Sequence, residues 1–337
     1  MKKILLTALL ILTLIFSLTA CKGEDGEEGG IDLPDIIDKD PKITGVNILP
    51  EKTLAASGEE VEFTVEAVMD DDTKIDITSD IEFRADTEKI TFEGNKALVG
   101  EDTLTGEEHV VIAEYKGEEE VDIDLYATIE IFNSLEDNID ENGVVTNPAA
   151  YDMVVNKERS LSSEYVPEDL VKLEVETCLP NPEINQLRKV ASDGITEMFK
   201  AAKEEEGLDL VARSGYRSYA TQDSLYHGIV NKYGQDYADK YSAYPGQSEH
   251  QTGLALDITA ASVNYQLEDI FGETEEGKWT KENAHRFGFI IRYPEGKEDI
   301  TGYLYEPWHL RYVGETLATK IYNQDTTLEE YFMNKEE

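Results

Sequence analysis

The chain has 337 residues, 40% hydrophobic and 30% charged, and 72 acidic against 30 basic side chains give a formal net charge of −42. That length suggests two domains with tails, and the apolar share suffices for ordinary packed cores. A surface this acidic is repelled by phosphates, which excludes nucleic acid as a partner, and its self-repulsion favours a soluble monomer.

The N-terminus reads as a targeting segment. Lys2 and Lys3 precede an apolar run from Ile4 to Phe16 that is too short for an ordinary membrane span. Leu18-Thr19-Ala20-Cys21 then resembles a bacterial lipobox. That resemblance implies a signal peptide over residues 1–21, lipidation of Cys21 and an extracytoplasmic protein anchored to the membrane as a lipoprotein; a plain secretory signal is the alternative. Only Cys178 remains beyond it, so no intrachain disulfide can form. Residues 22–40, with 8 acidic and 2 basic side chains among glycines, read as a flexible acidic tether.

Residues 41–133 read as strands. VEFTVEAVM places Val61, Phe63, Val65 and Ala67 on one face, and VDIDLYATIEI does the same with Val121, Ile123, Leu125, Ala127, Ile129 and Ile131. Strict alternation with turn signals between runs predicts half-buried strands of a small all-β sandwich, which resembles a bacterial immunoglobulin-like domain. Its simplest role is that of a spacer. Residues 134–153, with Asp137-Asn138, Glu141-Asn142-Gly143 and Asn147-Pro148, read as a linker.

Residues 154–337 read as an α+β domain, a small antiparallel sheet with flanking helices. Ile184, Leu187, Val190, Ile195, Met198, Phe199 and Ala202 predict a helix from about Glu183 to Glu206, stopped by Gly207. LDLVARSGYRS follows as a strand running into a loop.

Two later stretches carry chemistry. SEHQTGLALDI (Ser248–Ile258) and YEPWHLRYVG (Tyr305–Gly314) offer His250, Asp257 and His309 as metal ligands and Glu306 as a carboxylate beside them. Three protein ligands, an open position and a base make up the inventory of a catalytic zinc site. In the first stretch Leu256 and Ile258 are expected to face the core and Asp257 the site. In the second, Pro307 and its aromatic neighbours favour an extended strand. Glu306 and His309, three apart, can share one side of it only through a bend or bulge. Of the five histidines, His109 is expected in a surface turn, and His227 and His285 in packing or capping.

SGYRSYATQ (Ser214–Gln222), SEHQTGLALD and EPWH together resemble the VanY-type D-alanyl-D-alanine carboxypeptidases, part of a zinc peptidase group that includes VanX-type dipeptidases and L,D-carboxypeptidases. The group pattern Ser-x-His-x-x-Gly-x-Ala-x-Asp is met by Ser248, His250, Gly253, Ala255 and Asp257, and Glu-x-x-His by Glu306 and His309. The resemblance covers about residues 151–323. It implies Zn²⁺ held by His250, Asp257 and His309, Glu306 as general base and then acid, and Arg217 as oxyanion stabiliser. Ser248 and Gln222 are implied as substrate contacts or outer support.

The implied substrate is a peptidoglycan stem peptide losing its C-terminal D-alanine. An L,D-carboxypeptidase acting on tetrapeptide stems, a peptidoglycan endopeptidase and, outside enzymes, a cell-surface binding lipoprotein stand beside it as alternatives.

Overall fold

The computed structural model describes residues 43–100, 103–116 and 124–336. The expected signal peptide, Cys21, the tether and the strand positions Val121 and Ile123 lie outside the described residues. The chain forms two compact units, one running to Gly100 and resuming over Glu108–Ile129, the other made of Glu101–Glu107 and the chain from Glu130 onward.

The strands of the first unit are β1 (Ile43–Pro50), β2 (Leu54–Ala55), β3 (Glu60–Met69), β4 (Lys74–Asp76), β5 (Ile81–Ala85), β6 (Ile90–Glu93), β7 (Lys96–Val99), β8 (Glu108–Tyr115) and β9 (Asp124–Ile131). One sheet runs β1-β3-β7-β6 with β4 beside β3, and the other runs β2-β9-β8-β5. Alternation in β3 is realised: Val61, Phe63, Val65 and Ala67 are buried while Glu60 and Glu62 are exposed. The two sheets meet through aromatic rings, with Phe83 of β5 at 5.8 Å from Phe63 and stacked at 5.7 Å on Phe92. Burying each such side chain stabilises the unit by up to about 1.5–3 kcal/mol. His109 lies in β8 rather than in a turn, 3.6 Å from Asp86.

The second unit contains β10 (Leu170–Lys172), β11 (Gln186–Arg188), α1 (Lys189–Glu206), β12 (Val211–Ser214), α2 (Tyr219–Tyr233), α3 (Gln235–Tyr241), β13 (Ala255–Thr259), α4 (Glu275–Asn283), β14 (Phe289–Tyr293), α5 (Glu298–Thr301), β15 (Glu306–Tyr312), α6 (Glu315–Gln324) and α7 (Leu328–Glu336). Its central sheet is antiparallel, in the order β12-β13-β15-β14. The apolar stripe of α1 (Ile195, Met198, Phe199, Ala202) packs with Leu254, Leu256, Ile258, Phe289 and Leu310 from the sheet region in one core.

Two expectations change. Helix α1 begins at Lys189, not near Glu183, because Gln186–Arg188 pairs with β10 and the carbonyls of Ile184 and Gln186 accept from Gly215 and Tyr216. Those long-range bonds override the helical period of the preceding residues. Gly207 does end the helix, as a left-handed cap at φ 71°. Residues 134–153 are not a free linker. Val145 and Met153 are buried in the second unit's core, and Asp152 Oδ2 accepts from Thr105 N (3.0 Å) and Asn133 Nδ2 (3.1 Å). Asp140 meanwhile satisfies the turn by accepting from the backbone of Asn142 and Val144.

Candidate active site

Asp257, the middle residue of β13, stands opposite His309 of β15 in the antiparallel register. Its Oδ1 lies 3.0 Å from His309 Nδ1, and its Oδ2 lies 3.4 Å from His250 Nε2. The alternate positions Leu256 and Ile258 are in the core, so strand geometry alone turns Asp257 toward the histidines. One donor atom from each of His250, Asp257 and His309 lies within 4.8 Å of the others, and all three residues are buried.

His250 sits on a short 3₁₀ turn, Glu249–Thr252, closed by Gly253 at φ 68°. A Cβ at Gly253 would come within 2.9 Å of both Arg188 and Leu170, so the turn needs glycine. His250 Nδ1 is 2.8 Å from the Gly215 carbonyl. A carbonyl only accepts, so Nδ1 carries the proton and the Nε2 lone pair faces Asp257. Gly215 in turn lies so close to the Gln186 carbonyl that a Cβ would be 2.4 Å from it.

Burial, followed by the Arg217 charge, lowers the His250 ring below its ordinary value. Burial alone would raise the Asp257 carboxyl, but His250 and His309 outweigh it and hold Asp257 well below the carboxylate range. Burial would likewise lower His309, yet the Asp257 and Glu249 carboxylates raise it to about 9. Two imidazole nitrogens and a carboxylate oxygen, converging in a buried site, form a donor set that fits zinc. The fixed outward partner of His250 is also what an orienting shell supplies.

Glu306 opens β15, with 30% of its side chain exposed, and places Oε2 3.7 Å from His309 Nδ1. The ladder with β14 slips here: Ile291 faces Leu310, but Tyr293 faces Glu306. That irregularity over Pro307-Trp308 is what brings Glu306 and His309 to one side. Burial, partly offset by His309, raises the Glu306 carboxyl to about 7.

Arg217 leaves the end of β12 with its backbone N–H on the His250 carbonyl at 3.2 Å. Its guanidinium donates to Gln222 Oε1 at 2.7 Å. Burial lowers the guanidinium from its ordinary value, while the charges of Asp257, Glu306 and Glu183 act in the opposite sense. Glu183 accepts from Ser218 N and Thr221 Oγ1, bracing the loop at the start of α2.

Gln222 is 1% exposed, and its Nε2 donates to Ser242 Oγ (3.2 Å) and the Ala243 carbonyl (2.6 Å). Its polar atoms are thus engaged with Arg217 on one side and the Ser242–Ala243 segment on the other. The Ser248 hydroxyl makes no hydrogen bond among the described residues.

Outside the motif ligands, the structure adds Glu249, whose Oε1 accepts from Arg292 Nε (2.8 Å) and Arg311 Nη1 (2.7 Å). Arg292 is itself held by both oxygens of Glu329 on α7, at 2.8 and 2.6 Å. Both arginine side chains are fully buried. For Arg292 the only sequence signal is a lone cation inside the otherwise apolar strand FIIRY; Arg311 follows His309 and Leu310 in β15 and carries none of its own. His227 is exposed beside Asp223, and His285 stacks on Tyr322 at 3.9 Å; neither joins the site.

A family model described as VanY, D-alanyl-D-alanine carboxypeptidase, matches residues 184–315. YodJ of Bacillus subtilis (strain 168), a presumptive carboxypeptidase, is 47% identical over 202 residues, covering 60% of this chain and 73% of YodJ. A D-alanyl-D-alanine carboxypeptidase of Enterococcus faecalis is 35% identical over 207 residues, 56% of this chain and 74% of the relative. Among solved structures, the LdcB LD-carboxypeptidase aligns with a TM-score of 0.55 at 48% identity, over 56% of this chain and 89% of that one. The chain belongs to the VanY family and is a metallo-carboxypeptidase.

Proposed function

We propose, with that membership as premise, that the protein removes the C-terminal D-alanine from peptidoglycan stem peptides by zinc-dependent hydrolysis. The observation that carries the reading is the convergence of His250 Nε2, Asp257 and His309 Nδ1 with Glu306 3.7 Å from that last nitrogen.

Bound by His250, Asp257 and His309, zinc would supply a Lewis acid that polarises the scissile carbonyl and makes a water acidic. The protein's own groups do the rest. Glu306, raised toward neutrality, takes the proton of the attacking water and passes it to the departing amine. Arg217, held by Gln222, faces the negative charge that develops on the carbonyl oxygen. Ser248, with its hydroxyl unengaged, contacts the substrate.

A second reading has its own support. LdcB, a structure of an LD-carboxypeptidase, aligns over 89% of its length, which favours cleavage of tetrapeptide stems. Incubating the protein with synthetic pentapeptide and tetrapeptide stems, with and without chelator, separates the two. Chelator-sensitive loss of one alanine from the pentapeptide establishes D,D activity, and loss from the tetrapeptide establishes L,D activity. Metal binding without alanine release from either overturns both and leaves an endopeptidase or a surface binding protein.

The location belongs to the same proposal. A lipid on Cys21 and an acidic tether would hold the hydrolase outside the membrane, with the β-sheet unit, immunoglobulin-like in pattern, as a spacer towards the wall. Metabolic labelling with a palmitate analogue, lost in Cys21→Ala, tests this.

A further inference from the structure

We infer that Glu249 is a positioning residue for His309, holding its ring with Nε2 protonated so that Nδ1 is the nitrogen offered to the ligand cluster. The inference rests on the metal-site reading above.

The Glu249 side chain is fully buried, and its two oxygens are used differently. Oε1 takes both arginine donors, from Arg292 and Arg311. Among the described residues Oε2 has no hydrogen-bond partner, and neither does His309 Nε2; the two atoms face one another at 3.6 Å. A buried polar atom left alone is destabilising, because it has given up water without a replacement partner. At 3.6 Å the two atoms stand beyond hydrogen-bond length, but each is the other's facing polar atom, and an N–H aimed at the carboxylate oxygen is the arrangement that matches donor to acceptor. An ionised carboxylate only accepts, so the proton belongs to Nε2.

The other ring nitrogen then presents its lone pair. That nitrogen, Nδ1, is the one 3.0 Å from Asp257 and 3.7 Å from Glu306. His250 shows the mirror arrangement, with Nδ1 on the Gly215 carbonyl and Nε2 turned inward. The two imidazoles therefore use opposite nitrogens, and each choice is set by an outward acceptor.

Glu249 could be read as a mere counter-ion for two buried arginines. That role does not explain why one oxygen takes both donors and leaves the other aimed at the ring. The arginines are themselves fixed, Arg311 by the carbonyls of Tyr151 (3.0 Å) and Met153 (2.8 Å), and Arg292 by Glu329. They aim the carboxylate.

The test is nitrogen-15 NMR of the histidine rings in the zinc-loaded wild-type protein, together with chelator competition on Glu249→Gln. We expect a His309 Nε2–H that exchanges slowly with solvent, zinc on Nδ1, and zinc affinity weakened about 10–100-fold in the variant. A purely structural role predicts a lower melting temperature with zinc affinity unchanged. Zinc on Nε2 of His309, or an Nε2–H exchanging as freely as the ring of exposed His227, overturns the inference. The spectrum decides even if the variant does not fold. A protein that binds no zinc at all overturns the site reading along with it.

Discussion

Asp257 and His309 are 52 residues apart in the chain yet meet at 3.0 Å as an opposed pair on adjacent antiparallel strands. Asp257 Oδ2 turns to His250, so this one carboxylate ties together both histidines of the candidate site. The candidate catalytic side chains are arranged around that pair, and each makes a different prediction.

Glu306→Gln keeps the shape of the residue next to His309 but removes the base. Alanine release should fall by about 10²–10⁴-fold, the usual contribution of a positioned acid–base group. Zinc content, measured on the same preparation, should be unchanged. Retention of most of the activity would exclude Glu306 from proton transfer.

The pH profile follows from the same carboxyl. Its ordinary value of 4.5 is raised to about 7 by burial, and a cation beside it favours the ionised form and draws that value down again. The base acts only when deprotonated. Thus kcat/KM should fall as pH falls, with the inflection between 4.5 and about 7. A profile flat through that window would point to a different base.

Arg217 and Gln222 should separate in size of effect. Arg217→Lys loses the planar fork that takes the Gln222 oxygen, and a loss of about 10²–10³-fold in kcat is expected for an oxyanion donor. Gln222→Ala leaves the guanidinium in place but unguided, so kcat should fall less. Equal losses would mean that Gln222 does more than hold Arg217.

Glu183 predicts how the loop responds to acid. Burial pushes its carboxyl up, but the donors of Ser218 and Thr221 and the charge of Arg217 outweigh this and hold it below 4.5. Because the folded value is depressed, its stabilising contribution is present above the unfolded carboxyl value and is lost as pH drops through and below it. Glu183→Gln should therefore lower the melting temperature at neutral pH and less so in acid. A deficit that does not change with pH would contradict this.

The ligand set was legible because its chemistry needs rare residue types in order: two of five histidines, an aspartate and a glutamate in two short motifs. The strand slip at Pro307-Trp308 was legible from spacing alone, since Glu306 and His309 cannot otherwise share a side. Glu249 was not, because one more acid among 72 carries no signal. Arg292 stands in an apolar strand and Arg311 two residues after His309, but nothing local says whether such a cation is buried with a partner or bends out to water. The helix start was misplaced for a related reason: Ile184 and Leu187 fit a helical period but are claimed by long-range pairing, which periodicity does not see.

Arg292 receives both oxygens of Glu329, and Glu329 belongs to α7, the last helix described. Synthesis delivers that carboxylate after every other group around the site. A chain broken before α7 would have to bury a guanidinium stripped of its bidentate partner. Breaking such a pair costs up to about 3–5 kcal/mol, a large fraction of the stability of an ordinary domain. The bond thus ties the buried arginine behind the candidate site to α7, so that the packing of this helix and the placement of Glu249 are coupled through one guanidinium.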